Sequence, residues 1–80
     1  MEIIITQRFQ KVYLNALQKY FSQDEFIEIL KKKSHTFIPL ADGLLKLKTK
    51  IRMVDFRGII FIYENNKLIP LCCFLKKEKL

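Results

Sequence analysis

The sequence predicts an α+β fold, with two helices packed on one face of a mainly antiparallel four-stranded sheet and elements in the order β-α-α-β-β-β. Two observations carry this. Apolar residues recur at three- and four-residue steps through the first third of the chain, and from Leu44 onward the period changes to two. The last strands follow one another closely enough to pair as local hairpins, which leaves the helices together on one side of the sheet. With 80 residues, the chain 1–80 makes a single domain with a compact core.

Ile3-Ile4-Ile5 is short and β-branched, a first strand, and Thr6 after it is suited to cap a helix. Phe9, Val12, Tyr13, Ala16, Leu17, Tyr20 and Phe21 then form an amphipathic stripe that predicts a helix over 7–21 and reads as core. Ser22-Gln23-Asp24-Glu25 is a capping box, with Phe21 and Phe26 at the two staple positions. The second helix therefore starts at residue 23 and runs to about Lys33. Lys31-Lys32-Lys33 fall in its last turn, where cations complement the helix dipole; contact with nucleic acid is the other reading of this triplet.

Residues 34–43 contain Pro39 and Asp42-Gly43 and read as a loop. Strands are expected at 44–51, 55–63 and 67–75, the last two joined by a tight turn at Asn65-Asn66, since Asn tolerates positive φ. Pro70 inside the final strand implies a bulge or an N–H position that needs no partner.

Half of the residues are hydrophobic, with seven Phe and three Tyr, which excludes a disordered tail. The net charge is +7 and is unevenly placed: residues 41–80 hold nine Lys/Arg against four Asp/Glu, and residues 1–40 hold six against four. A small basic domain is drawn to nucleic acid, anionic lipid or an acidic protein. Neither a long basic amphipathic helix nor a lipidation signal occurs, which disfavours lipid. Cys72 and Cys73 are adjacent and point to opposite faces of a strand, so they read as free thiols. With His35 as the single histidine there is no zinc spacing, and neither a metal nor a cofactor is expected. The N-terminus lacks the basic flank and length of a signal peptide, which makes the cytoplasm the expected location.

The chemistry, where there is any, is basic. Lys46, Lys48, Lys50 and Arg52 occupy every second position of one expected strand, so all four leave the same face. Like charges about 7 Å apart repel, and such a row suits either an anionic polymer lying across it or an edge strand protected by lysines. Arg57 lies on the adjoining strand, and Lys76, Lys77 and Lys79 follow at the end of the last one. The chain has two glycines and no glycine-rich phosphate loop, no Gly-x-Ser-x-Gly and no His-Glu-x-x-His, which argues against conventional hydrolase chemistry.

Three segments resemble the RelE/ParE superfamily of type II toxins, HigB-like members included. Asp42-Gly43-Leu44-Leu45-Lys46-Leu47-Lys48 is similar to that family's Gly-x-aromatic-Lys/Glu-aliphatic-Arg/Lys strand. Phe56-Arg57-Gly58-Ile59-Ile60 is similar to its aromatic-Arg-aliphatic strand, and Leu71 to Lys77 to its apolar final strand ending in Lys-Lys/Arg. The resemblance spans residues 42–79 and implies a ribosome-dependent mRNA endoribonuclease that inhibits translation, the RNA 2′-hydroxyl attacking the neighbouring phosphate. It implies Lys46 and Lys48 as strand lysines, one a general base and one an electrostatic support, and Arg57 and Lys77 at the positions of transition-state arginines. Lys50, Arg52, Lys76 and Lys79 would contact RNA. Crowded cations stabilise the extra charge of a phosphorane-like transition state.

Three departures from the family pattern are plain: Leu45 replaces a common aromatic, Lys77 stands where arginine is frequent, and no tyrosine or histidine follows Lys77. The expected partners are a cognate antitoxin, the ribosome and mRNA, with a homodimer as an option and no membrane. Two other functions stay open: a ParE-like non-catalytic toxin directed at DNA gyrase, and an RNA-binding module without chemistry. The second is disfavoured by the lack of exposed aromatics at predictable positions.

Overall fold

The computed structural model describes residues 1–76, and its first element, β1 (Glu2–Ile3), is brief. Helix α1 follows in three continuous stretches: α-helical Gln7–Phe9, π-helical Gln10–Leu14 and α-helical Asn15–Leu17. Helix α2 is Gln23–Lys32, and a 3-10 turn at Ser34–Thr36 leads to β2 (Ile38–Ala41). Strands β3 (Leu44–Ile51), β4 (Val54–Glu64) and β5 (Lys67–Leu75) complete the chain. The class is α+β. Among the described residues no helix is long and apolar enough to cross a membrane.

The sheet corrects the expectation in two ways. It has five strands in the order β1-β5-β4-β3-β2, and it is mixed, because β1 runs parallel to β5 through Glu2↔Lys67 and Ile3↔Leu68. The fifth strand is β2, which lies in the stretch expected to be a loop. Pro39 and Asp42-Gly43 mark a break, but Ile38 and Leu40 are strand formers, and a proline is tolerated on an edge strand, where one row of backbone groups needs no partner. Gly43 makes the return to β3 at φ +72°, and its carbonyl accepts from the Tyr63 N–H at 2.8 Å.

Helix α1 is shorter than its stripe. Thr6 Oγ1 accepts from the Phe9 N–H at 3.1 Å, the cap its position suggests. The Asn15 N–H then reaches back five residues to the Gln10 carbonyl, a π turn. The extra residue rotates the core stripe, so Phe9, Leu14, Leu17 and Phe21 are buried while Val12, Ala16 and Tyr20 face solvent. The helix stops at Leu17, whose carbonyl accepts from both Tyr20 and Phe21 N–H groups.

At α2 the capping box forms: Ser22 Oγ accepts from the Glu25 N–H at 3.2 Å, and Glu25 Oε1 from the Ser22 N–H at 3.4 Å. The staple forms too, with Phe21 and Phe26 stacked at 6.0 Å between ring centroids. Phe26 and Leu30 then bury against Leu47, Phe56, Ile59 and Phe61 on the inner face of the sheet.

Arg52 occupies a two-residue turn between Ile51 and Val54, at φ +55°. Its Nε and Nη2 both donate to Glu25 Oε2, at 2.9 and 2.7 Å, tying the β3–β4 turn to the start of α2. These hydrogen bonds, with a lesser contribution from Ser22, hold the Glu25 carboxyl below the ordinary carboxylate range. A group with a depressed folded pKa stabilises the fold above its unfolded pKa, and that contribution is lost as pH falls through the lowered value. In Arg52→Ala, an NMR titration of Glu25 should therefore show its midpoint rising toward the ordinary range. An unchanged midpoint would mean that the ion pair does not form in solution.

Candidate nucleic-acid interface

The helices cover one face of the sheet, and the alternation of β3 then decides what the other face carries. Leu47 and Ile51 point into the core, so Lys46, Lys48 and Lys50 leave the helix-free face. On β4, Val54 and Phe56 are buried, and then the register slips. Phe56 pairs with Thr49 and Ile59 with Leu47, so Arg57 and Gly58 together oppose Lys48. On the other side Phe56 pairs with Leu75 and Gly58 with Phe74, leaving Arg57 as the additional residue. This is a β-bulge, which twists the strand and re-aims the side chain at its crest, and the side chain there is Arg57.

Arg57 joins two depressions on the helix-free face. One, of about 450 Å³, is lined by Leu40, Lys46, Arg57, Gly58, Ile60 and Phe74. The other, of about 420 Å³, is lined by Lys48, Thr49, Lys50, Asp55, Phe56, Arg57 and Lys76. Five cations thus line the two depressions together with one carboxylate among their described residues, Asp55, which lies opposite Lys50 in the ladder. The ion pairs among the described residues are Lys32–Glu28 and Arg52–Glu25, so none of the five cations is neutralised within that set. Lys76 is held at this end by its N–H, which donates to the Asp55 carbonyl at 2.9 Å.

The expected row of four is therefore a row of three. Lys46, Lys48, Lys50, Arg57 and Lys76 come together, whereas Arg52 is withdrawn into the Glu25 pair at the far end of β3. The edge-protection reading of the lysine row no longer applies, because β3 is an inner strand between β4 and β2. Lys77 and Lys79 lie outside the described residues. The lysine triplet ends α2 as expected, with Lys32 paired to Glu28 at 3.5 Å.

Two residues of this face were not anticipated. Gly58 lies beneath the Lys46 stem: a Cβ there would come within 2.9 Å of Lys46 Cε. Its lack of a side chain lets the lysine lie across β4, which explains why Lys46 is half-buried while Lys48 and Lys50 are exposed. Phe74 is the other. It is 58 % exposed beside Gly58, an aromatic where none was expected. Its partial signal in the sequence was position alone, one residue before Leu75 and Lys76 at the strand end.

The adjacent cysteines divide as their alternation requires. Cys72 pairs with Ile60 on the helix-free face and Cys73 with Ile59 on the core face, both as free thiols. Burial, helped by the proximity of Cys72, pushes the Cys73 thiol up to about 11. The thiolate is the reactive form, so iodoacetamide at pH 8 should leave Cys73 largely unmodified over the time in which Cys72 is consumed. Peptide mass spectrometry reads the ratio, and equal labelling would contradict the assignment of faces.

No family model, curated protein or solved structure matches the chain.

Proposed function

We propose that the chain is a toxin of RelE/ParE type that acts as a ribosome-dependent mRNA endoribonuclease in the cytoplasm, neutralised by a cognate antitoxin. One observation carries the reading: Lys46, Lys48, Lys50, Arg57 and Lys76 converge on two adjoining depressions of the helix-free sheet face, among whose described lining residues Asp55 is the one carboxylate. A phosphate backbone is the complement of such a surface. In the proposed reaction a base takes the proton from an RNA 2′-hydroxyl, whose oxygen attacks the adjacent phosphorus. The P–O5′ bond breaks, leaving a 2′,3′-cyclic phosphate, and the departing 5′-oxygen takes up the proton that the base removed, returned through solvent, to become a 5′-hydroxyl. Lys46 and Lys48 are the candidates for the base, which takes the proton as the neutral amine, and for the cation that supports it. Arg57, whose planar fork matches two phosphate oxygens, supports the added negative charge of the transition state. The resemblance assigns Lys77 to the same task, outside the described residues.

A second reading has its own support. Leu40, Ile60 and Phe74 beside the cations make a mixed apolar and basic surface that also suits a protein target, as in a ParE-like toxin directed at DNA gyrase. Extracts dosed with the protein separate the two. The nuclease reading predicts that translation stops while plasmid supercoiling is unaffected, and loss of supercoiling with intact mRNA would replace it with the gyrase reading.

A further inference from the structure

A single exposed phenylalanine on a protein surface needs no ligand to explain it. Phe74 differs in where it stands. It is 58 % exposed, directly across the ladder from Gly58, so its ring borders a position that carries no side chain. The depression they share, about 450 Å³, has Ile60 and Leu40 as apolar lining and Lys46 and Arg57 as flanking cations. None of the aromatic ring pairs among the described residues includes Phe74.

From this we infer that Phe74, over the gap left by Gly58, is a stacking platform for one unpaired nucleobase, with Lys46 and Arg57 placed for the phosphates beside that base. The inference rests on the RNA reading above and names a subsite within it. The ligand class follows from the chemistry. Every base has a π face that an aromatic ring can meet, and cations flanking the ring fit a chain with one phosphate per base. A duplex hides the faces of its bases, so the occupant is single-stranded or splayed out of a helix. Phe74 discriminates little between bases, because stacking tolerates sequence.

The chain contains no Trp, so Phe74→Trp installs a unique fluorophore at the platform. This variant is titrated with a single-stranded 12-nucleotide RNA and with an abasic strand of equal length and charge. Quenching by the RNA and not by the abasic strand is the expected result, since only a stacked base reaches the indole face. In parallel, Phe74→Ala should bind the RNA roughly five- to 150-fold more weakly, the range that base–aromatic stacking supplies per base. Its salt dependence should match that of the parent, because its phosphate contacts are intact. Lys48→Ala should instead lower the salt slope by about 0.7 for the lost phosphate contact. Equal quenching by both strands, with RNA affinity unmoved in Phe74→Ala but reduced in Lys48→Ala, would overturn the platform and leave the RNA reading standing. Absence of RNA binding by the parent chain would overturn both, and point to a protein as the occupant of this face.

Discussion

Arg57→Ala is expected to lose about 10²–10³ in the rate of mRNA cleavage, the usual consequence of removing one donor from a preorganised anion site. The loss should fall on the chemical step, because Arg57 crests the bulge that joins both depressions and its guanidinium has no carboxylate partner among the described residues. Thermal stability should barely move, since the side chain is exposed and supports no packing. Arg57→Lys should recover only part of the rate, because an ammonium keeps the charge but lacks the two-pronged fork. Single-turnover cleavage on stalled ribosomes, with melting curves of the same samples, checks both statements. A rate within threefold of the parent would remove Arg57 from the site.

Phe26→Ala should have the largest effect on folding. Phe26 is fully buried, and its ring meets those of Phe9, Phe21 and Phe56, linking both helices to the sheet. Truncating a buried phenylalanine costs about 3–5 kcal/mol, against a total on the order of 4–12 kcal/mol for a domain of 80 residues. The melting temperature should fall by about 12 °C or more. Urea unfolding followed by circular dichroism measures this directly, and a loss under 1 kcal/mol would show that the three rings do not share one core.

The features legible in the sequence are those written in local chemistry. Thr6, the Ser22–Glu25 box and the Phe21/Phe26 staple are made by residues within five positions of one another, and all form. Asn65 and Asn66 both take positive φ, at 51° and 60°, as a tight hairpin turn demands. The alternation of Lys46, Lys48 and Lys50 places them on one face for the same reason.

The π turn in α1 and the bulge in β4 escaped the reading of the sequence, whereas Pro70 implied the bulge that β5 does make, though not its effect on the faces; each adds one residue and resets which side chains face inward. Counting by twos from Leu68 and Pro70 puts Cys72 and Phe74 in the core. The register slip between Ile60 and Phe61 leaves Leu71 as an extra residue on β5, so Cys73 turns inward and Phe74 outward. The same slip accounts for Pro70, whose missing N–H falls where the ladder is interrupted. Arg52 escaped for another reason: its partner, Glu25, is 27 residues away, and such a contact has no local signature.

β2 was missed because its Pro39 reads as a breaker, and an edge strand removes the objection. β2 also makes β3 an inner strand and supplies Leu40 to the depression that holds Lys46. The site as a whole was thus visible as a charge pattern, whereas its apolar half was not.

If the lysine row and Arg57 form one RNA-cleaving site, mRNA cleavage in a reconstituted translation system with stalled ribosomes will show it. The parent chain should cut the message on the ribosome and leave 2′,3′-cyclic phosphate ends, and Lys46→Ala/Arg57→Ala should leave it intact. Uncut message with the parent chain, or cuts that persist unchanged in the double variant, would mean that these residues do not form an RNA-cleaving site.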